Sequence, residues 1–490
     1  MNRIKIPVIL QKFYAIFAQH GYEAYLVGGA VRDMLLGKPA SDWDIATNAT
    51  PQEVMRIFHR VIPTGLAHGT VTVLFMGAQL EVTTYRTEHG YSDGRHPDSV
   101  SFAAKIQDDL GRRDFTINAI AASLRDGSIE DPFDGRGDLK RRLIRAVGKA
   151  SDRFLEDGLR PIRAIRFSAQ LGFCIHADTY DAIKLPSVQE KIAGISIERF
   201  RDELVKLLKA PQPSQGLTAL EDTNILARFI PALAAGRGVT QKDARGFHEF
   251  DVLDHNFYAC DGAPCNNEIV RLAALFHDVG KTATRTVELK RIDANAHAST
   301  TNAVSAPASD DYIELIHFHG HEQRSAQLAK ESLIALRFPN ATVERVCHLI
   351  AQHMFHYEPS WSDAAVRRFI VRVGLENIDD LFLLRYADIY GMHRTPLAAT
   401  SETVRLLNEL KDRIQALSHE KSALSLKAVA VNGNDLLALG IPKGRHIGQL
   451  LNELFQCVLD APAMNTREQL LLVAKRLAAQ RGLLAAPEQA

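Results

Sequence analysis

The chain is short of cysteine, of net charge and of long apolar runs. Its five cysteines (Cys174, Cys260, Cys265, Cys347 and Cys457) are scattered, and none falls in a CxxC pair. That excludes a disulfide framework and a cysteine-built zinc ribbon, and it fits a reducing compartment. No run of about 18 apolar residues occurs, so no membrane-spanning helix is expected. The basic, amphipathic start MNRIKIPVILQKFYAIFAQHGY lacks an apolar core followed by a small-residue cleavage site and reads as the first helix. Lys plus Arg and Asp plus Glu number 58 each, so a polyanion-binding surface must come from local charge segregation. What remains is ordinary globular material: 490 residues, 46% hydrophobic and 24% charged. That length suggests about three modules, in a cytoplasmic protein.

Along the first 130 or so residues, strand and helix signals alternate. Glu23 to Val27 is a short apolar run ended by Gly28-Gly29, and a helical stretch follows to Leu36. A strand is expected around Trp43 to Ala46, a helix from Pro51, and a β-rich pair in TVTVLF and LEVTTYR. From Leu139 onward the pattern is helical. Pro211 to Gln215 reads as a linker, residues 291–310 as a mobile surface loop, and Pro487 onward as a frayed tail. No internal repeat is visible.

The strongest chemical signal is Ser41-Asp42-Trp43-Asp44-Ile45. Residues i and i+2 of a strand share a face, so Asp42 and Asp44 would present two carboxylates together. Such a pair repels itself unless a cation intervenes, and Mg²⁺ is held in this way beside substrate phosphates. A lone DxD also fits a solvated turn. Upstream, Gly28-Gly29-Ala30-Val31-Arg32-Asp33 joins a strand end to a helix start, where backbone N–H groups could receive a phosphate with Arg32 as counter-charge. Glu81, opening EVTTYR, fits either a third carboxylate or an exposed strand end.

GGAVRD with SDWDIAT, then Arg112-Arg113-Asp114-Phe115-Thr116-Ile117-Asn118-Ala119, then Glu156-Asp157-Gly158-Leu159-Arg160, resembles the class II tRNA nucleotidyltransferases and bacterial poly(A) polymerases. The resemblance runs through the first 210 residues or so. It resumes at Asp435 to Leu451 and Asn465-Thr466-Arg467-Glu468, with Arg445 standing where the family pattern has proline. It implies an α/β nucleotidyltransferase head, a mixed sheet with helices, followed by an all-α neck, body and tail. The implied division is 1–138 head, 139–210 neck with a nucleotide-base template, 211–420 body and 421–490 tRNA-binding tail. It also implies that Asp42 and Asp44 are the catalytic acids of a two-ion Mg²⁺ site and that the partners are tRNA, CTP and ATP.

Residues 136–166 hold ten Lys/Arg against four Asp/Glu, the segregation that the neutral total conceals and a surface suited to phosphates. Within it Asp157, Arg160, Arg163 and Arg166 fall at steps of three, one stripe if all lie on a helix. The resemblance gives Asp157 and Arg160 the reading of the base. It puts Arg113, Arg163 and Arg166 near the nucleotide, with Gly29 and Arg32 on the opposite wall. The chemistry fits: cytosine and adenine offer an amino donor beside a ring acceptor, whereas uracil and guanine reverse both roles. An ordinary i, i+3 salt bridge between Asp157 and Arg160 is the other reading.

Pro63 to Val71 (PTGLAHGTV) and Asp93 to Val100 (DGRHPDSV) resemble the CCA-adding branch, the second as the flexible loop used in switching from C to A. Addition of C, C and A to tRNA is therefore expected, with poly(A) synthesis on general RNA as the alternative. Nineteen histidines complete the inventory. His255, His277-Asp278, His321-Glu322, His353 and Asp388 follow the order of HD-domain phosphohydrolases, placing an HD domain at about 248–390. A site of His255, His277, Asp278 and Asp388 suits a divalent transition metal, and an HD phosphohydrolase acting on RNA ends is the further alternative.

Overall fold

The computed structural model describes residues 3–40, 42–89, 99–242, 249–291, 312–419 and 424–484. It divides into two compact units, Met1–Ala235 with Ser332–Phe338, and Gly236–Glu331 with Pro339–Ala490.

The first unit opens with helix α1 (Val8–Gln19), whose Leu10, Phe13 and Phe17 recur at helical spacing and are buried. Phe13 stacks on Phe58 at 4.6 Å and meets Phe75 edge-on at 5.3 Å, clamping the helix to the sheet. Each such ring contributes about 1.5–3 kcal/mol. Strand β1 (Ala24–Val27), helix α2 (Gly29–Leu35), strand β2 (Trp43–Thr47) and helix α3 (Pro51–Ile57) follow. The start of α3 is set by Pro51 and by a reciprocal cap between Thr50 and Glu53. Strands β3 (Val61–Gly65), β4 (Thr70–Phe75) and β5 (Ala78–Thr84) come next, then the hairpin β6 (Arg86–His89) and β7 (Ser99–Phe102). After helix α4 (Ile106–Gly111) come β8 (Ala121–Ser123) and β9 (Ile129–Glu130), and the sheet order is β3-β4-β5-β2-β1-β8-β9. Only β2 and β5 run parallel in this mixed sheet.

The helical part of this unit comprises α5 (Gly135–Arg141), α6 (Ala150–Glu156), α7 (Leu159–Leu171), α8 (Ala177–Ile183), α9 (Pro186–Ala193), α10 (Ile197–Leu208) and α11 (Pro213–Asp222). Helical structure dominates after Leu139 as expected, with one small addition, the parallel pair β10 (Leu143–Ile144) and β11 (Cys174–Ile175). Two expectations are corrected here. The linker at Pro211 to Gln215 is not one: Pro213 is the first residue of α11, because proline's fixed φ suits a helix start as well as a loop. The stripe of four on one helix is also broken, since Asp157 and Gly158 separate α6 from α7. Gly158 is held to glycine by packing: a Cβ there would lie 2.3 Å from the Lys191 carbonyl oxygen.

The second unit is built of helices, among them Val252–Gly262, Glu268–Phe276, Asn340–Gln352, Asp363–Val373 and Ile378–His393. It adds an antiparallel hairpin, β12 (Thr286–Arg291) with β13 (Tyr312–His317). The loop expected at 291–310 lies outside the described residues except for Arg291, which ends β12. The C-terminal helices Arg445–Asp460 and Arg467–Gln480 share a core of Leu450, Leu454, Val458, Leu470 and Ala474. Among the described residues no helix is long and apolar enough to cross a membrane.

Candidate active site and metal centre

The acids of the head are placed by strand register. Val27 of β1 lies opposite Asp44 of β2, and Asp44 lies beside Glu81 of the parallel neighbour β5. Alternation buries Ile45 and turns Asp44 outward, while Asp42 is exposed just ahead of the strand. Burial raises the Asp44 carboxyl above its ordinary range; Glu81 and Asp42 push the same way, and Arg113 opposes them. A cation relieves crowding of this kind, and Asp44 carries the crowding, although among the described residues Asp42, Asp44 and Glu81 are not drawn into one ligand cluster. The β2–β5 register sets Glu81, which the sequence leaves open between a third carboxylate and an exposed strand end, beside Asp44. Ser41 lies outside the described residues.

Gly28 explains the glycine turn. Its φ is +70°, and a Cβ there would sit 2.9 Å from Arg113 Nη1 and 3.6 Å from Asp44 Oδ2. Only glycine lets the chain turn between these charges. Arg113 donates to buried Asp109 at 3.3 Å, and Arg112 Nε donates to the same carboxylate at 2.9 Å. Burial would raise Asp109, but the two guanidiniums overcome it and hold the carboxyl below its usual range.

A cavity of about 420 Å³ gathers Asp44, Glu81, Arg113, Asp157, Arg160 and Arg163. It thus joins five of the nine head and neck residues singled out by sequence. Arg86, Arg112 and Arg199 line it too. Arg112 was visible within RRDFTINA; Arg86 and Arg199 carry no local signal. Arg163 is anchored by two bonds to buried Asp114 Oδ2, at 2.9 and 2.7 Å, and Asn118 steadies Asp114 at 3.1 Å.

Asp157 and Arg160 are not paired with each other through their side chains as an i, i+3 bridge. Asp157 Oδ1 accepts the Leu159 N–H at 2.9 Å, and its Oδ2 accepts Arg199 Nη2 at 2.7 Å. Arg160 pairs with Glu156 and donates to the Arg153 carbonyl at 3.0 Å and the Arg112 carbonyl at 3.3 Å.

Gly29, Arg32, Asp42 and Arg166 do not line this cavity. Arg32 donates to Asp33 at 2.9 Å and to Asn118 at 2.9 Å, and Gly29 lies against its guanidinium. Arg166 is buried in an ion pair with Glu203 and bonds Gln170 at 2.6 Å. Its guanidinium sits 3.8 Å from the centre of the Phe167 ring. It holds α7 to α10, a packing role.

In the second unit, the ring nitrogen Nε2 of His255 lies 3.2 Å from Asp278 Oδ2, 3.2 Å from Asp388 Oδ1 and 3.1 Å from His277 Nε2. The predicted quartet thus converges, and His321 and His353 form a second group with Asp278. Asp278 faces both groups: Oδ2 points to the quartet, and Oδ1 lies 3.1 Å from His321 Nε2. His277, His321 and His353 each direct Nδ1 at a backbone carbonyl, at 2.8, 2.8 and 2.7 Å. That arrangement leaves Nε2 facing the centre, as second-sphere bonds do for metal-binding imidazoles. Burial works against a charged His255, yet its bonds to Asp278 and Asp388 raise it to about 9, while burial and the His277 charge press His353 to about 3. Asp278 Oδ1 and His321 Nε2, both buried, face each other at 3.1 Å, a carboxylate oxygen and a ring nitrogen of the kind that share a cation. Sequence had named the whole set but had put His321 and His353 outside the proposed ligand quartet.

Residues 24–145 match the family model described as poly A polymerase head domain. The first domain is similar to a poly A polymerase head. Residues 172–236 match the probable RNA and SrmB-binding site of polymerase A, and 248–392 match the HD domain. The family of the head implies a divalent metal. The CCA-adding enzyme of Lactobacillus delbrueckii subsp. bulgaricus is 56% identical over 237 residues, 48% of this chain and 59% of that one. That of Lactobacillus johnsonii is 52% identical over 205 residues, 42% and 51% of the two chains. The chain thus spans about half the length of the curated relatives it matches. A crystal structure of the Bacillus stearothermophilus CCA-adding enzyme in complex with CTP matches with TM-score 0.70 and 29% identity, covering 97% of this chain and 98% of that one. The Thermotoga maritima CCA-adding enzyme, at 18% identity and TM-score 0.52 over 96% and 94%, shares the fold.

Proposed function

We propose that this chain adds C, C and A to the 3′ end of tRNA from CTP and ATP without a nucleic-acid template. The observation that carries the reading is one cavity in which Asp44 and Glu81 of the poly A polymerase head meet Asp157 and Arg160 of the neck. Likeness to enzymes named as CCA-adding, one of them solved with CTP, supports it. The division is read as head 1–138, neck 139–210, body 211–420 and tail 421–490, working in a reducing cytoplasm where the five cysteines stay free.

Asp42, Asp44 and Glu81 hold the divalent ions, read as Mg²⁺. Ions bound there would neutralise charge developing on the phosphates and favour attack of an RNA 3′-hydroxyl on the α-phosphorus, with pyrophosphate leaving. The protein's own part is positioning. Arg113, fixed by Asp109, and Arg163, fixed by Asp114, set positive charge where a triphosphate would lie. Asp157 accepts the exocyclic amino group of cytosine or adenine, and Arg160 donates to the adjoining ring nitrogen. Uracil and guanine present the reverse pattern and leave both groups unpaired, at a cost of about 1–3 kcal/mol each. Arg32 and Arg166 act at one remove, by bracing α2 and α7.

The test is incubation with a tRNA lacking its 3′ end and each nucleotide in turn, read at single-nucleotide resolution. Ordered incorporation of two C and one A is expected, lost in Asp42→Ala while the protein stays folded. Long A tails with indifference to CTP would instead make it a poly(A) polymerase. The paired His–Asp groups favour a second activity, metal-dependent phosphate release from RNA ends, carried by His255, His277, Asp278 and Asp388.

A further inference from the structure

We infer that Arg199 is a positioning residue for nucleotide selection: it aims the carboxylate of Asp157 and so sets which bases are accepted. The inference rests on the nucleotidyl-transfer reading above. Asp157 has two fixed neighbours, and they come from different helices. Leu159 N–H, at the start of α7, bonds Oδ1 at 2.9 Å, and Arg199 Nη2, from α10, bonds Oδ2 at 2.7 Å. One donor on each oxygen fixes the carboxylate plane and leaves one lone-pair direction on each oxygen for the cavity. Take Arg199 away and only one bond remains, so the plane is free to swing about it.

Arg199 is well placed to aim a neighbour. Its helix is pinned within the turn that follows it: Phe200 is fully buried and stacks on Phe229 at 4.1 Å, and Glu203 holds Arg166. The two side chains are only 19% and 17% exposed, so the pair is sheltered from solvent. Arg199 also lines the cavity that Asp157 and Arg160 line. The other base reader does not share this dependence, because Arg160 is held by Glu156 and by two backbone carbonyls. Selection of the amino-bearing bases therefore depends on one long-range ion pair between α10 and the α6–α7 junction.

The experiment uses the full chain, with Arg199→Ala, Arg199→Lys and Arg199→Gln, on tRNA lacking its 3′ end. Values of kcat/KM are measured for CTP, UTP, ATP and GTP, beside equilibrium binding of CTP and UTP without RNA. Arg199→Ala is expected to lower the CTP-to-UTP ratio by about tenfold or more. Arg199→Lys restores part of it, because one charged donor returns. A parallel fall for all four nucleotides with the ratio intact would overturn the inference, as would a lysine variant no better than alanine. Should the alanine variant fail to fold, the lysine and glutamine pair decides between the same outcomes. Failure of the parent reading looks different: the unaltered protein would then incorporate no CTP at all.

Discussion

Gly158→Ala is the sharpest probe of the neck. The backbone of Gly158 is right-handed helical, φ −60° and ψ −12°, so alanine meets no conformational barrier there. All of the cost comes from contact. The added Cβ would lie 2.3 Å from the Lys191 carbonyl oxygen, 2.6 Å from its carbon and 3.0 Å from Ile192 N. Ordinary contact begins at 3.4 Å, so the overlap is about 1 Å, and it is with backbone of α9 that cannot rotate aside. Overpacking of this kind costs about 1–3 kcal/mol. At about 2–4 °C per kcal/mol for a unit of this size, the melting midpoint falls by roughly 2–12 °C. The larger effect is on function, because the junction that must yield carries Asp157 and leads straight to Arg160. A displacement of about 1 Å costs up to roughly 10²-fold in rate, and incorporation of CTP and ATP should fall together with base selectivity. Differential scanning fluorimetry and primer-extension kinetics on truncated tRNA read the two effects. Gly194→Ala is the control: its Cβ would stand 3.5 Å from the same Lys191 oxygen, an ordinary contact. A Gly158→Ala protein that melts and selects nucleotides like its parent would refute the packing argument.

Two further outcomes are expected. Asp109 is held below its ordinary value of 3.8 despite burial, so its contribution to stability is full above that value and is lost as pH falls through the lower folded value. Acid titration followed by circular dichroism should show a flatter loss below about pH 4 in Asp109→Asn, which starts about 3–5 kcal/mol less stable near neutrality because Arg112 and Arg113 lose their buried partner. In the second unit, the double variant His277→Ala, Asp278→Ala should lose the tightly bound divalent metal measured by elemental analysis while nucleotide incorporation persists; metal content unchanged from the parent would refute the ligand set.

Much of the head was legible because its signals are local. The basic, amphipathic start read as α1, and the two-residue step from Asp42 to Asp44 placed both on a shared face. What escaped depends on pairing between distant segments. Glu81 becomes a partner of Asp44 only through the β2–β5 register, and no local pattern ties Arg199 to Asp157, 42 positions away. Arg166 read as one more cation in a stripe because its buried partner, Glu203, lies 37 residues on. The stripe itself failed at Gly158, where closeness to Lys191 decides the chain path and local propensity does not. Pro213 misled for another reason: one rigid φ serves both a linker and a first helical turn. The HD set was readable in full because each member is a chemically distinctive residue, but the division of Asp278 between two groups needed coordinates.

The placement of Asp157 just outside α7, rather than within it, has a consequence for how such a molecule can change. On the proposed reading, the metal-holding acids Asp44 and Glu81 ride on neighbouring strands of one sheet, whereas the proposed base readers straddle a glycine joint between two helices. A small rotation at that joint would shift the proposed base readers relative to the acids on the sheet, so nucleotide choice and rate would change together.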